Sequence, residues 1–291
     1  MMISRFRIAT LVALAALSAA TLAGEGQGWR AHYLANAGVM VVRGETKVLF
    51  DPFFRNDYGQ YDRVPQETEA ALFAGSAPYD GIDALFISHH HDDHFDPATV
   101  MRYLQRWPEV ELYAPAQAVT ALLALDEAAP PSLRSRLHSV DLEPDSAAVH
   151  LDMDGLQIDA VRIAHAGWPE RFADVENIVF RVTLDEAATV MHMGDADAGS
   201  AHYAPHTDYW QARKTDVALV PVWLMLTDKG RYVLQEYVDA GHEIGMHVYT
   251  SIADDPTERP ASFEGLDIFT QPGETRQFND DNLTDHHPIR P

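Results

Sequence analysis

Residues 82–107 read IDALFISHHHDDHFDPATVMRYLQRW: an apolar run enters SHHHDDHFD, nine residues with four histidines and three aspartates, and leaves it through Asp-Pro. So many ionisable groups cannot enter an apolar interior without partners, which places them in a loop at the end of a buried strand. Asp96 suits a helix N-cap and Pro97 the first helical position, and Val100, Tyr103 and Leu104 recur at helical spacing. A strand-like run at 110–114 and a helical pattern at 116–125 repeat the order strand then helix. That alternation predicts an α/β fold in the first half of the chain.

Before it, residues 29–53 alternate short apolar runs with breaks at Asn36, Gly38 and the RGET turn, which predicts antiparallel strands. Residues 53–82 read as a long loop with one helical stretch near 67–74. From 148 onward, strand-like runs at 149–153, 156–166, 177–184 and 189–194 predict a second meander. Two more strands are expected at 217–225 and 244–249, with a helix at 233–241 between them. Beyond about 252 Pro, Asp, Asn and Gly dominate. The reading is one domain over residues 24–275 and a polar C-terminal tail over 276–291.

Residues 1–23 carry Arg5 and Arg7 ahead of an apolar stretch at 8–17, then small residues with cleavage points after Ala20 or Ala23. This is the pattern of a signal peptide, which predicts export to the periplasm or the medium. The stretch is shorter than the roughly 20 residues that span a bilayer, so no membrane span is expected after cleavage. The formal charge of −23 becomes near −25 without Arg5 and Arg7. Such a field opposes nucleic acid and anionic membrane surfaces as partners and leaves a small-molecule substrate. Cysteine is absent, which excludes disulfides, thiolate ligands and a thiol nucleophile.

Alternate side chains of an extended loop point the same way, so His89 and His91 can meet at one point while Asp93 and His94 turn toward another. Imidazole and carboxylate suit Zn, Mn or Fe, whereas Mg and Ca prefer oxygen alone. Four ligands are too few for two metals. Further donors at strand ends are His165 in VRIAHAG, Asp195 in TVMHMGDAD and His247 in IGMHVY.

With its HxHxDH at His89, His91, Asp93 and His94, then a lone His, a GD and a late His, the chain resembles the metallo-β-lactamase-fold hydrolases. LANAGVMVVRGETKVLFDPF, IDALFISHHHDDHFDPATV and GMHVY look most like the ascorbate-6-phosphate lactonase-like and N-acyl-phosphatidylethanolamine phospholipase D-like branches. The resemblance spans residues 29–249 and implies a four-layer αββα sandwich. It implies two divalent metals, Zn2+ first with Mn2+ or Fe as alternatives, the first on His89, His91 and His165. The second would lie on Asp93, His94 and His247, with Asp195 bridging. His242 competes with His247, which is preferred because it follows a strand-like segment. His90 and Asp92, on the alternate positions, are expected to be bystanders, and His192 a packed histidine. Asp51 either orients a histidine or begins a turn. Trp168, Phe172, Trp223 and Tyr232 are candidate pocket walls. Tyr249 either reaches the substrate or packs in the core, and His202, His206, His286 and His287 are given no chemistry.

By this resemblance the chain is a hydrolase of small esters, lactones or phosphodiesters, with a metal-bridging hydroxide as nucleophile and Asp93 and Asp195 as the catalytic carboxylates. Other readings of the same ligands are a di-iron oxidoreductase and a metal-binding protein without turnover.

Overall fold

A computed structural model describes residues 28–279. The first sheet holds β1 (Trp29–Ala35), β2 (Gly38–Arg43), β3 (Thr46–Phe50), β4 (Ala84–Phe86), β5 (Glu111–Pro115) and β6 (Leu137–Val140) side by side. The second holds β7 (Val149–Met153), β8 (Leu156–Arg162), β9 (Ile178–Leu184), β10 (Ala188–His192), β11 (Val217–Pro221) and β12 (His242–Met246), again in chain order. A last strand, β13 (Thr275–Phe278), returns to the first sheet and pairs antiparallel with β1.

Period-two alternation builds the layers. In β2, Val39 and Val41 face the second sheet while Met40 faces outward; in β4, Ala84 and Phe86 face inward and Leu85 outward. Ile158 and Ala160 of β8, Phe180 and Val182 of β9 and Val217 and Leu219 of β11 close the central core from the other side. The outer face of the first sheet is covered by α1 (Gln66–Ala74), α2 (Pro97–Arg106), α3 (Ala116–Leu125) and α4 (Pro131–Arg134), through Leu72, Val100, Leu104, Leu122 and Leu133. Over the second sheet lie α5 (Thr207–Ala212), α6 (Val222–Leu226) and α7 (Asp228–Val233), the last running into a π-helical turn, Leu234–Val238. The fold is the expected four-layer αββα sandwich.

Several elements differ from the expectation. The apolar run at 217–225 is not one strand: β11 stops at Pro221, which cannot donate to a ladder, and Val222–Leu226 is α6. β6, β13 and α5 were not foreseen, and the expected domain end at 275 falls inside β13, so the sheet continues through Phe278. The expected signal peptide and the tail from residue 280 lie outside the described residues. Among the described residues no helix is long and apolar enough to cross a membrane.

Candidate metal centre

β3 and β4 run parallel, as do β10, β11 and β12, and β8 points the same way as β10 through two antiparallel pairings. Their C-terminal ends therefore meet at one rim of the sandwich. Tight backbone at these ends throws side chains into the gap: Asp51 after β3 has φ +40°, Gly194 after β10 has φ +54°, and His247 after β12 has φ +59°. A histidine in the left-handed region is costly and persists only where its surroundings hold it. Here the His247 amide donates to the Asn36 carbonyl at 2.9 Å, and Asn36 Nδ2 donates to the Asp93 carbonyl at 2.9 Å.

All seven residues singled out by the sequence come together. Three overlapping groups, His89–His91–His165, His89–Asp93–His94 and His94–Asp195–His247, each bring their donor atoms within 4.8 Å of one another. Asp195 lies between them: Oδ1 is 3.2 Å from His94 Nε2, and Oδ2 is 3.4 Å from His165 Nε2 and 3.5 Å from His247 Nε2. Asp93 Oδ2 is 3.2 Å from His247 Nε2. All but the half-buried His91 are buried.

The outward atoms of these rings are tied down. Ser88 Oγ lies 3.0 Å from His89 Nδ1, His165 Nδ1 donates to the Ala166 carbonyl at 2.8 Å, and His94 Nδ1 is 2.8 Å from Asp51 Oδ2. Asp51 also accepts from the Ser88 amide at 2.7 Å and from Ser88 Oγ at 2.5 Å. This leaves Nε2 of His89, His94 and His165, and Asp195 Oδ1, buried with no hydrogen-bond partner among the described residues. Buried polar atoms rarely stay unpaired, and convergent nitrogen and carboxylate donors of this kind fit divalent metal ions.

Burial, with His165 and His94 nearby, lowers His91 to about 4 and, with His94, holds His89 well below the usual imidazole range. Both rings are therefore neutral at pH 7 and can offer a lone pair. Burial works against charge on His94 and on Asp195. The carboxylates of Asp195 and Asp93 nevertheless raise His94, and His247 and His94 in turn hold Asp195 well below the usual carboxylate range.

The β-lactamase superfamily domain matches residues 30–238. The chain belongs to that superfamily. Among solved structures, it is similar to a metallo hydrolase from the archaeon Ignicoccus hospitalis, with a TM-score of 0.57 at 16% identity over 87% of this chain and 99% of that one. An isothiocyanate hydrolase from Delia radicum gut bacteria gives a TM-score of 0.55 at 17% identity, over 86% and 99%. CmlA, a diiron β-hydroxylase from Streptomyces venezuelae, gives 0.50 at 15% identity over 86% of this chain and 54% of its own length. These likenesses share the metallo-β-lactamase sandwich. No curated protein matches the chain significantly in sequence.

In this superfamily member His242 stands at the opposite end of β12 from His247 and bonds Asp267 at 2.8 Å, away from the cluster. His192 is buried, with Nε2 donating to the Ala37 carbonyl at 2.9 Å and its ring stacked on Phe50. Asp92 accepts from Tyr58 at 2.6 Å and from Asn56 at 3.0 Å, so it holds the 53–62 loop instead of facing the centre. His90 is half-buried and belongs to none of the three groups. Trp223 and Phe172 border the centre at ring distances of 5.3 Å from His247 and 4.8 Å from His91, whereas Tyr232 lies in a separate pocket with Lys229 and Ser200. Residues overlooked in the sequence are Asn36, Ser88, Asn177, whose Oδ1 accepts from the Asp195 amide at 2.9 Å, and Tyr61, whose ring edge meets His247 at 4.2 Å. Only Ser88 carried a signal, its place between the strand and the first histidine.

Proposed function

We propose that this protein is an exported, dinuclear metal-dependent hydrolase acting on a small ester, lactone or phosphodiester. The observation that carries it is the convergence of seven His and Asp side chains in three overlapping groups, with Asp195 between them. His89, His91 and His165 would hold one metal; Asp93, His94 and His247 would hold the other, with Asp195 shared. Zinc is the first choice for this donor set. When bound, the metals supply Lewis acidity and lower the pKa of a coordinated water to roughly 7.

The chain's own groups complete the chemistry. Asp51 and Ser88 fix the ring orientations of His94 and His89, which sets where the donor atoms point. Asp195, kept ionised by its histidine neighbours, is placed to accept a proton during attack on the substrate. Burial, aided by a hydrogen bond to Tyr249, raises the Tyr61 hydroxyl above the usual phenol range, so it stays protonated as a donor at the rim. The pattern of residues 1–23 supports export.

Imidazole and carboxylate also suit iron, so a di-iron oxidoreductase is the second reading. The test is a panel of p-nitrophenyl esters, lactones and bis(p-nitrophenyl) phosphate, run on metal-replete protein with and without chelator. Turnover that chelation abolishes, and that His91→Ala removes together with one metal, is the expected result. Full activity of His91→Ala would refute the site, and native iron near two per chain would favour the redox reading.

A further inference from the structure

Among the described residues the exposed large apolar side chains are Tyr58, Leu125, Trp168, Phe172, Tyr232 and Tyr249. Four of them lie around the metal centre, Phe172 in contact with its donors and Trp168, Tyr249 and Tyr58 further out. The Phe172 ring lies 4.8 Å from His91 and 4.9 Å from His165, edge to face. Trp168 joins Phe172, His165 and Val175 in lining a cavity of about 260 Å3, with Asp145 and His202 also on its wall. On the opposite side, Tyr249 stacks at 5.3 Å on Tyr61, whose ring meets His247, and Tyr58 bonds Asp92 within the histidine motif. Single exposed apolar residues need no explanation, but their concentration beside a catalytic cluster marks a binding surface.

Charge points the same way. Arg162 lines the cavity, but its Nη1 is committed to the Leu142 carbonyl at 2.9 Å, and the Arg171 guanidinium packs over the Phe172 ring at 5.3 Å. The Asp145 carboxylate lines the same cavity. An anionic substrate arm would meet that carboxylate and aromatic faces, whereas a neutral apolar arm would meet surface it can cover. The cavity is also smaller than the roughly 300–1,000 Å3 that encloses a drug-sized ligand, so it fits one arm of a substrate and not the whole of it.

We infer that the centre selects neutral esters or lactones bearing an aryl or alkyl arm, which packs against Trp168 and Phe172 in the cavity beside His165. The inference rests on the hydrolase reading for the reaction, but the apolar subsite stands on its own geometry. It makes Trp168 and Phe172 specificity residues and disfavours esters whose arm carries a negative charge.

Two matched pairs of probes test it on metal-replete protein. γ-Nonalactone and γ-butyrolactone share a reacting ring and differ in an alkyl arm; phenyl acetate and 4-acetoxybenzoate share an aryl ester and differ by a carboxylate. The expected kcat/KM favours γ-nonalactone and phenyl acetate by roughly tenfold or more, as burial of several methylenes allows. In Phe172→Ala and Trp168→Ala the γ-nonalactone advantage falls toward one, through KM, with metal content and melting temperature retained. Calorimetry with 2-naphthol, which has no bond to hydrolyse, on metal-replete protein gives a readout apart from turnover, with binding expected in the wild type and weakened in both variants. Equal kcat/KM within each pair, preference for the charged ester, or naphthol binding unchanged in both variants would overturn the inference. If neither these probes nor bis(p-nitrophenyl) phosphate turns over while naphthol binds and the variants weaken it, the hydrolase reading fails and the subsite stands; turnover of the phosphodiester alone would overturn the inference.

Discussion

Gly194 occupies the left-handed region, and a Cβ there would lie 2.4 Å from Asn177 Oδ1 and 2.7 Å from Ser88 Cβ. Gly194→Ala would push apart the residue that holds the Asp195 amide and the one that orients His89. It is expected to cost about 2–3 kcal/mol in urea unfolding of metal-free protein and to weaken metal binding as well. Asp51→Ala leaves every donor atom in place but frees the His94 ring, so metal affinity should fall roughly 10- to 100-fold in a competition titration. Outside the seven donors, His206 is buried, and burial lowers its pKa from 6.5. Between that lowered value and 6.5 the unfolded chain binds the extra proton, so stability falls as pH drops through this window. His206→Leu removes that proton demand and should flatten the loss of urea midpoint between about pH 7 and pH 5; an unchanged slope would assign it elsewhere. The seven donor residues were legible in the sequence because four alternate in one polar loop after an apolar run and the other three stand at the ends of strand-like runs. Asn36 and Asn177 were not, because their side chains act by hydrogen bonds to Asp93 and Asp195, 57 and 18 residues away, which leave no local pattern.

The 53–62 loop is pinned chiefly through one aspartate. The Asp92 backbone carbonyl accepts from the amides of Arg55 and Asn56 and its carboxylate from the side chains of Asn56 and Tyr58, while the Thr250 amide donates to the Gln60 carbonyl at 2.9 Å. Asp92→Ala keeps the two backbone bonds but removes the carboxylate contacts to Asn56 and Tyr58, so it should raise amide hydrogen exchange around residues 57–61 and leave metal content intact; loss of metal would instead make Asp92 part of the ligand set. Strands and helices with a buried face were readable, as the agreement of α2 and α3 with their patterns shows. Asp96 caps α2 by accepting from the Thr99 amide at 2.8 Å, with Pro97 at its first position. β6 and β13 are edge strands with polar sequences, LHSV and TRQF, and they owe their state to pairing with β5 and β1. The apolar run of α6 is buried through Val222, Leu224 and Met225, and a short buried run cannot be told from a strand by periodicity.

At the scale of the whole molecule, the two sheets act as jaws that bring five strand ends to one rim. The first sheet supplies Asp51, Ser88 and the histidine motif; the second supplies His165, Asp195 and His247. The motif by itself signified metal binding; strand–helix alternation predicted an α/β fold, and the resemblance to the metallo-β-lactamase-fold hydrolases implied the four-layer sandwich. Aromatic walls around the centre depend on loops that return from both sheets, which explains why Tyr58 and Tyr61 were invisible before the fold was built. The central claim is a dinuclear centre on these seven residues. Its most direct test is elemental analysis of purified protein combined with anomalous diffraction at the metal edge. The account predicts two metals per chain, one within reach of His89, His91 and His165 and one within reach of Asp93, His94 and His247, with Asp195 between them. Metal-free active protein, or metal found away from these residues, would contradict it.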